Sequence, residues 1–306
     1  MSSWSPSVNP LLLSSNKFGQ QSVDGAANPY IYFGLIGMNS QIDLAPYGTK
    51  EFGYFERVSN KADNGTIFRA VSDIDLANAL VRYAPHVNFQ LAIASDIGIE
   101  GCRSLALRVV NALRIKTRVD MLVPAHISVS WGQLDRALSG SCTGQILEDI
   151  PAAISLEEAR LVEQSDFDWL WSSGEEFEEL LKDSRFNLAV ESLCYCHLLR
   201  DPRMMAAGLW AGIESLCGVA HELRYRISLI AASILEPRGV RRKALYKRVQ
   251  ALYDVRSKAV HGAELSREKL VEHVVEVRIL LAQLVMKCIE ASRVFSKEDH
   301  EGMLLL

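Results

Sequence analysis

Apolar positions recur at helical spacing through most of the C-terminal half. After Ser266, the residues Leu270, Val274, Val277, Leu281, Leu284, Val285, Cys288 and Ile289 fall three or four apart, the period of a helix with one buried face. The same reading predicts helices over about 173–200, 203–219, 222–235, 240–261 and 266–293, with breaks at Asp201-Pro202, Gly218 and Pro237-Arg238-Gly239. Ser155-Leu-Glu-Glu158 reads as a capping box that opens this region. Long helices joined by short connections predict a bundle.

The N-terminal half is patterned differently. Residues 28–60 carry short apolar and aromatic runs broken by Gly, Asn and Pro, as in Tyr30-Ile-Tyr-Phe-Gly-Leu and Glu51-Phe-Gly-Tyr-Phe-Glu, which suggest strands. Asn64-Gly65 is a turn signal, and Gly34-Leu-Ile-Gly37 reads as a turn rather than a dinucleotide loop. Ser72 and Asp73 offer an N-cap for a helix to Tyr83, and a second helix is expected from Ile99 to Leu113. Beyond it, β-branched residues between Arg114 and Val129 suggest a return to strand. The expected fold class is therefore mainly α. It comprises a loose arm over 1–27, a smaller α+β domain over 28–150, and a helical domain over 151–306.

Composition sharpens this picture. With 306 residues, 49% of them hydrophobic and 23% charged, the chain has the make-up of a folded protein with one large core or two ordinary ones. No apolar run approaches membrane-spanning length, and the N-terminus lacks the basic start of a secretory signal, so no membrane association is expected. Six scattered cysteines read as reduced core residues of a cytoplasmic protein. Cys194-Tyr195-Cys196-His197 lacks a second ligand pair at zinc-type spacing, so neither metal nor cofactor is expected. His86, His126, His197, His273 and His300 are isolated, and Trp169 and Trp171 read as core anchors.

Charge is distributed unevenly. Residues 148–183 hold twelve acidic side chains against two basic ones, a local net of −10, whereas residues 221–262 hold ten cations against three acids, a net of +7. The basic stretch ends in Asp254-Val-Arg256-Ser257-Lys258-Ala-Val-His261-Gly262. Arginine is a permanent cation whose planar fork fits phosphate oxygens, and histidine moves protons near neutral pH. A positive field beside such a pair favours a polyanionic ligand.

Taken with the upstream Gly208-Leu-Trp-Ala-Gly-Ile-Glu214-Ser215-Leu216, the run Leu252-Tyr-Asp-Val-Arg-Ser-Lys-Ala-Val-His-Gly262 resembles the ApeA-like branch of the HEPN superfamily over about residues 180–295. The resemblance implies a helical bundle and, in many members, a metal-independent endoribonuclease of defence or toxin–antitoxin systems. Other members are non-catalytic modules that bind nucleic acid, nucleotide or protein. It implies RNA as a partner, a homodimer that pairs two motifs in one cleft, and an antitoxin or regulatory protein as a further partner. Arg256 and His261 would be catalytic, and Glu214, Asp254 and Ser257 supporting; Glu214 either takes part in the site or pairs with Arg256 and holds the bundle together. Arg241, Arg242, Lys243, Lys247, Arg248 and Lys258 would bind RNA. Many HEPN nucleases carry Asn, Asp or His directly after the motif arginine, where this chain has Ser257. Five residues advance about 500° on a helix, so Arg256 and His261 would diverge by about 140° on a regular one, which favours a partner chain supplying the missing group.

Overall fold

The computed structural model describes residues 29–46, 53–148, 160–219, 221–260 and 264–305. The arm over 1–27, the capping box at 155–158 and the division near residue 150 lie outside them.

The protein is mostly helical with one antiparallel sheet. The strands are β1 (Tyr30–Leu35), β2 (Leu44–Pro46), β3 (Gly53–Arg57), β4 (Phe89–Ala94), β5 (Ala125–Ile127) and β6 (Gly144–Ile146), arranged β2-β3-β4-β1-β5-β6. Helices α1 (Asn64–Ala70), α2 (Ile74–Tyr83) and α3 (Gly98–Thr117) are interleaved with the strands. There follow α4 (Gln164–Ser172), α5 (Gly174–Leu180), α6 (Ser184–Tyr195), α7 (Pro202–Cys217), α8 (Leu223–Leu235), α9 (Val240–Val260), α10 (Arg267–Glu290) and α11 (Lys297–Leu305).

Strand alternation sends side chains to two faces. Phe33, Leu35, Phe55, Phe89, Leu91 and Ile93 join the larger core together with α3, while Tyr32, Ala92, Ala125, Ile127 and Trp131 pack with α1 and α2 on the other side. The larger core does not stop at α3. Through Ala106, Val110 and Leu113 it continues into Phe186, Val190, Leu209, Trp210, Ile213, Val274, Val277 and Leu281 of the bundle. A single apolar mass thus runs from the sheet to the last long helix.

Several expectations need correction. The helix expected over 173–200 is α5, α6 and a short 3-10 turn at Cys196–Leu198; the first break falls where the Asp183 carboxylate accepts from the backbone N–H groups of Arg185 and Phe186 and starts α6 afresh. Asn64-Gly65 is not a turn but the first turn of α1, capped by Asp63. Residues 114–117 continue α3 until Arg118 adopts a left-handed conformation at φ 57°, so the return to strand is confined to Ala125–Ile127. Gly34 lies inside β1, where the Trp131 ring fills the space a side chain would need; the chain turns only at Gly37, whose φ of 84° and contact with the Asp120 carbonyl require glycine. Trp171 is 52% exposed and is no core anchor; Trp169 is half-buried, with the Lys116 ammonium 5.2 Å from its ring centroid. All six cysteines are free and buried.

Buried polar groups join the two kinds of structure. The Arg114 guanidinium of α3 donates to the Glu148 carboxylate at 2.8 Å and 3.0 Å and to the Met121 carbonyl. Arg278 of α10 reaches Asp120 at 2.6 Å, and His197 contacts the Met121 carbonyl at 3.2 Å. Burial depresses the His197 pKa to about 4, and Arg114 beside it adds to the shift.

Candidate functional site

The expected site lies where α7 and α9 meet. Gly218, left-handed at φ 61°, ends α7 one turn beyond Glu214. On α9, Arg256 follows Val249 by seven residues and Leu252 by four, and precedes Ala259 by three. These three neighbours are buried, so Arg256 belongs to the stripe that α9 turns toward the bundle. There its guanidinium Nη2 stands 3.2 Å from Glu214 Oε1, with side-chain exposures of 22% and 23%.

Aromatic groups hold this arginine in place. Its Cζ lies 5.5 Å from the Tyr253 ring centroid, and Tyr253 meets Trp210 of α7 edge-on at 5.2 Å. The Trp210 indole N–H donates to His273 Nε2 at 3.2 Å, and the two rings are stacked. His273 must therefore be neutral, and burial lowers its pKa to about 4. Burial also raises the pKa of Tyr253, with Arg256 opposing the shift. Arg256 Nε and Glu214 Oε1 are buried and make no hydrogen bond among the described residues.

The remaining expected residues separate into groups. Asp254 is bound by Arg224 of α8 through two hydrogen bonds of 2.6 Å and 2.9 Å, which hold its carboxyl below the usual range. It orients Arg224 rather than Arg256. Arg242 donates to the carbonyls of Glu236 and Met303 and so ties α9 to α8 and α11; Arg248 pairs with Glu276 of α10. Lys243, Lys247 and Lys258 are exposed and share a face, rotated from Arg256 by about 140–180° at 100° per residue. Arg241 is exposed as well, and Ser257 is half-buried beside Arg256 in sequence. His261 and Gly262 lie outside the described residues.

The sequence reading missed Arg224, Tyr253 and Trp210. Arg224 lies thirty residues from Asp254, and only the α8–α9 pairing joins them. Trp210 and Tyr253 stood inside the quoted motifs without a role, and nothing in their spacing shows that their rings meet. His273 was read only as an isolated histidine, at the surface or in packing; it is buried.

Among the described residues no group of three or more His, Cys, Asp or Glu side chains is placed to hold a metal ion, and no helix is long and apolar enough to cross a membrane. In comparisons with known proteins the chain has no significant match to a family model, a curated protein or a solved structure.

Proposed function

We propose that this is a cytoplasmic HEPN-type protein acting as a metal-independent endoribonuclease, with a composite site formed by two chains of a homodimer. The observation that carries the reading is the Arg256–Glu214 pair. It fixes a guanidinium on the bundle-facing side of α9, five residues before His261, and leaves its Nε without a hydrogen bond among the described residues. A guanidinium so placed can stabilise charge on phosphoryl oxygens. His261 would take the proton from the ribose 2′-hydroxyl as that oxygen attacks phosphorus, or return one to the departing 5′-oxygen. Lys243, Lys247 and Lys258 point away from Arg256, so they would hold RNA flanking the cleft rather than the scissile phosphate.

The pairing of Arg256 with Glu214 also favours a second reading. A motif arginine neutralised by its own chain suits a non-catalytic HEPN module that binds RNA, a nucleotide or a protein such as an antitoxin through the lysine face. Incubating the purified protein with RNA in EDTA separates the two. Cleavage by wild type that is lost in both His261→Ala and Arg256→Ala supports the nuclease. RNA binding without products, unchanged in His261→Ala but weakened in Lys243→Glu/Lys247→Glu, supports the module. Light scattering of the same samples reports whether the active species is a dimer.

A further inference from the structure

Helix α8 carries an aromatic ring between two guanidinium groups. Arg224, Tyr225 and Arg226 are consecutive and all exposed, Tyr225 at 53%. On the neighbouring α9 the half-buried Tyr246 ring meets Tyr225 at a centroid distance of 6.3 Å and an interplanar angle of 82°. An edge-on contact of this kind covers at most one face of the Tyr225 ring, so Tyr246 leaves the other for a second flat group.

The charge around the two rings is positive, and its acids are already matched. Asp254 takes Nε and Nη2 of Arg224, and Glu222 takes Nε of Arg226, which leaves further guanidinium N–H groups for an outside acceptor. Lys243 stands one turn before Tyr246 on α9 and Lys247 directly after it, and both are exposed. The Gln250 amide donates to the Tyr246 hydroxyl at 2.7 Å, so that hydroxyl keeps its own proton to give. Trp171 makes the contrast plain. It is as exposed as Tyr225, but it lies in the segment of net −10, which repels a polyanion.

We infer that Tyr225 and Tyr246 form a stacking platform for single-stranded RNA, in which an unpaired base lies on Tyr225 and the flanking phosphates meet Arg226, Lys243 and Lys247. Every base has a π-face, so the platform takes unpaired bases without reading their sequence. A duplex keeps its bases stacked on one another and offers only its backbone. Tyr246 precedes Tyr253, the ring beside Arg256, by seven residues, or about 10 Å along one stripe of α9. A strand anchored on the platform therefore lies within a few nucleotides of that guanidinium. The inference rests on the RNA reading above and narrows its ligand to single strands; it holds for the nuclease and for the non-catalytic module alike.

Fluorescence anisotropy on the full-length protein tests it, with a labelled 2′-O-methyl oligoribonucleotide of about a dozen residues, alone and annealed to its complement. The methyl group blocks attack by the 2′-oxygen, so binding is read without cleavage. The single strand is expected to bind more tightly than the duplex. Its affinity should fall about tenfold or more in Tyr225→Ala and in Tyr225→Leu, which keeps an apolar contact to Tyr246, and should recover in Tyr225→Trp. Duplex affinity should not change. Tyr225 is exposed, so these variants should fold, as melting temperatures near that of wild type would verify. The inference is overturned if the single strand binds Tyr225→Ala and Tyr225→Leu as well as wild type, if the duplex loses as much as the single strand, if Tyr225→Trp restores nothing, or if neither strand binds. Cleavage of an unmodified strand is scored separately. No cleavage alongside binding that depends on Tyr225 removes the nuclease and leaves the platform. Cleavage that needs Arg256 and His261, with binding indifferent to Tyr225, removes the platform and leaves the nuclease.

Discussion

Arg256 and Glu214 form a cross-helix ion pair of 3.2 Å that is neither fully buried nor free in solvent. Exposed pairs contribute at most about 1 kcal/mol, whereas removing one partner of a buried pair costs about 3–5 kcal/mol. Arg256→Ala should fall between these limits, at about 1–2 kcal/mol. Urea denaturation of the two single variants and Arg256→Ala/Glu214→Ala gives the coupling energy. A coupling of zero would show that the two charges stand near each other without acting on each other.

The cations of α9 should divide by role. Arg242→Ala removes donors to the carbonyls of Glu236 and Met303, so it is expected to lower stability by about 1–2 kcal/mol with little effect on RNA affinity. Lys243→Glu/Lys247→Glu should do the reverse, weakening RNA binding and flattening its salt dependence at unchanged melting temperature. Fluorescence anisotropy at several salt concentrations checks both.

Asp254, although inside the motif, should matter little to RNA chemistry. Its carboxylate faces Arg224, and both side chains are about half exposed. Asp254→Asn is expected to change cleavage or binding less than about twofold and stability by under 1 kcal/mol. A loss of RNA cleavage as large as that in Arg256→Ala would return Asp254 to the site.

Stability should decline as pH falls from about 6.5 to about 4. Over that range unfolded histidines take up protons, near pKa 6.5, while His197 and His273 stay neutral in the fold until about 4. The unfolded state then binds more protons, so stability rises with pH, with each histidine contributing up to about 1.4 kcal/mol per unit. Denaturant midpoints at several pH values should show a flatter profile in His273→Asn than in wild type.

Breaking the polar joint beneath the sheet should be costlier than any of these. Glu148→Gln leaves the Arg114 guanidinium buried without a counter-charge, and a loss of about 3–5 kcal/mol is expected. Thermal melting of this variant beside an exposed control such as Glu298→Gln measures it.

The helical half was readable from sequence because its periodicity is long. The period of α10 and the cap at Ser266 emerge directly. β4 was not anticipated because it lies between two neighbours and is almost wholly buried, so Phe-Gln-Leu-Ala-Ile-Ala shows no clean alternation. α11 was missed because Ser292 turns left-handed and Ser296 caps a new helix beyond the end of the periodic run. Around the motif, the pairing of Glu214 with Arg256 was one of two readings open in the sequence, whereas the partner of Asp254 depends on which helices touch. A single sequence records that only weakly.

The shared core has a consequence for anyone who wishes to handle the helical half alone. Helix α3 is a wall of the sheet layer and of the bundle at once, and Phe186, Val190 and Leu281 belong to the same apolar mass as Phe33 and Leu91. A fragment beginning at residue 160 would lose that wall and bare a greasy flank to water. The motif-bearing half is therefore not a portable cassette. It should melt in one step with the sheet, resist excision by proteases as an intact piece, and precipitate when expressed without its first 159 residues.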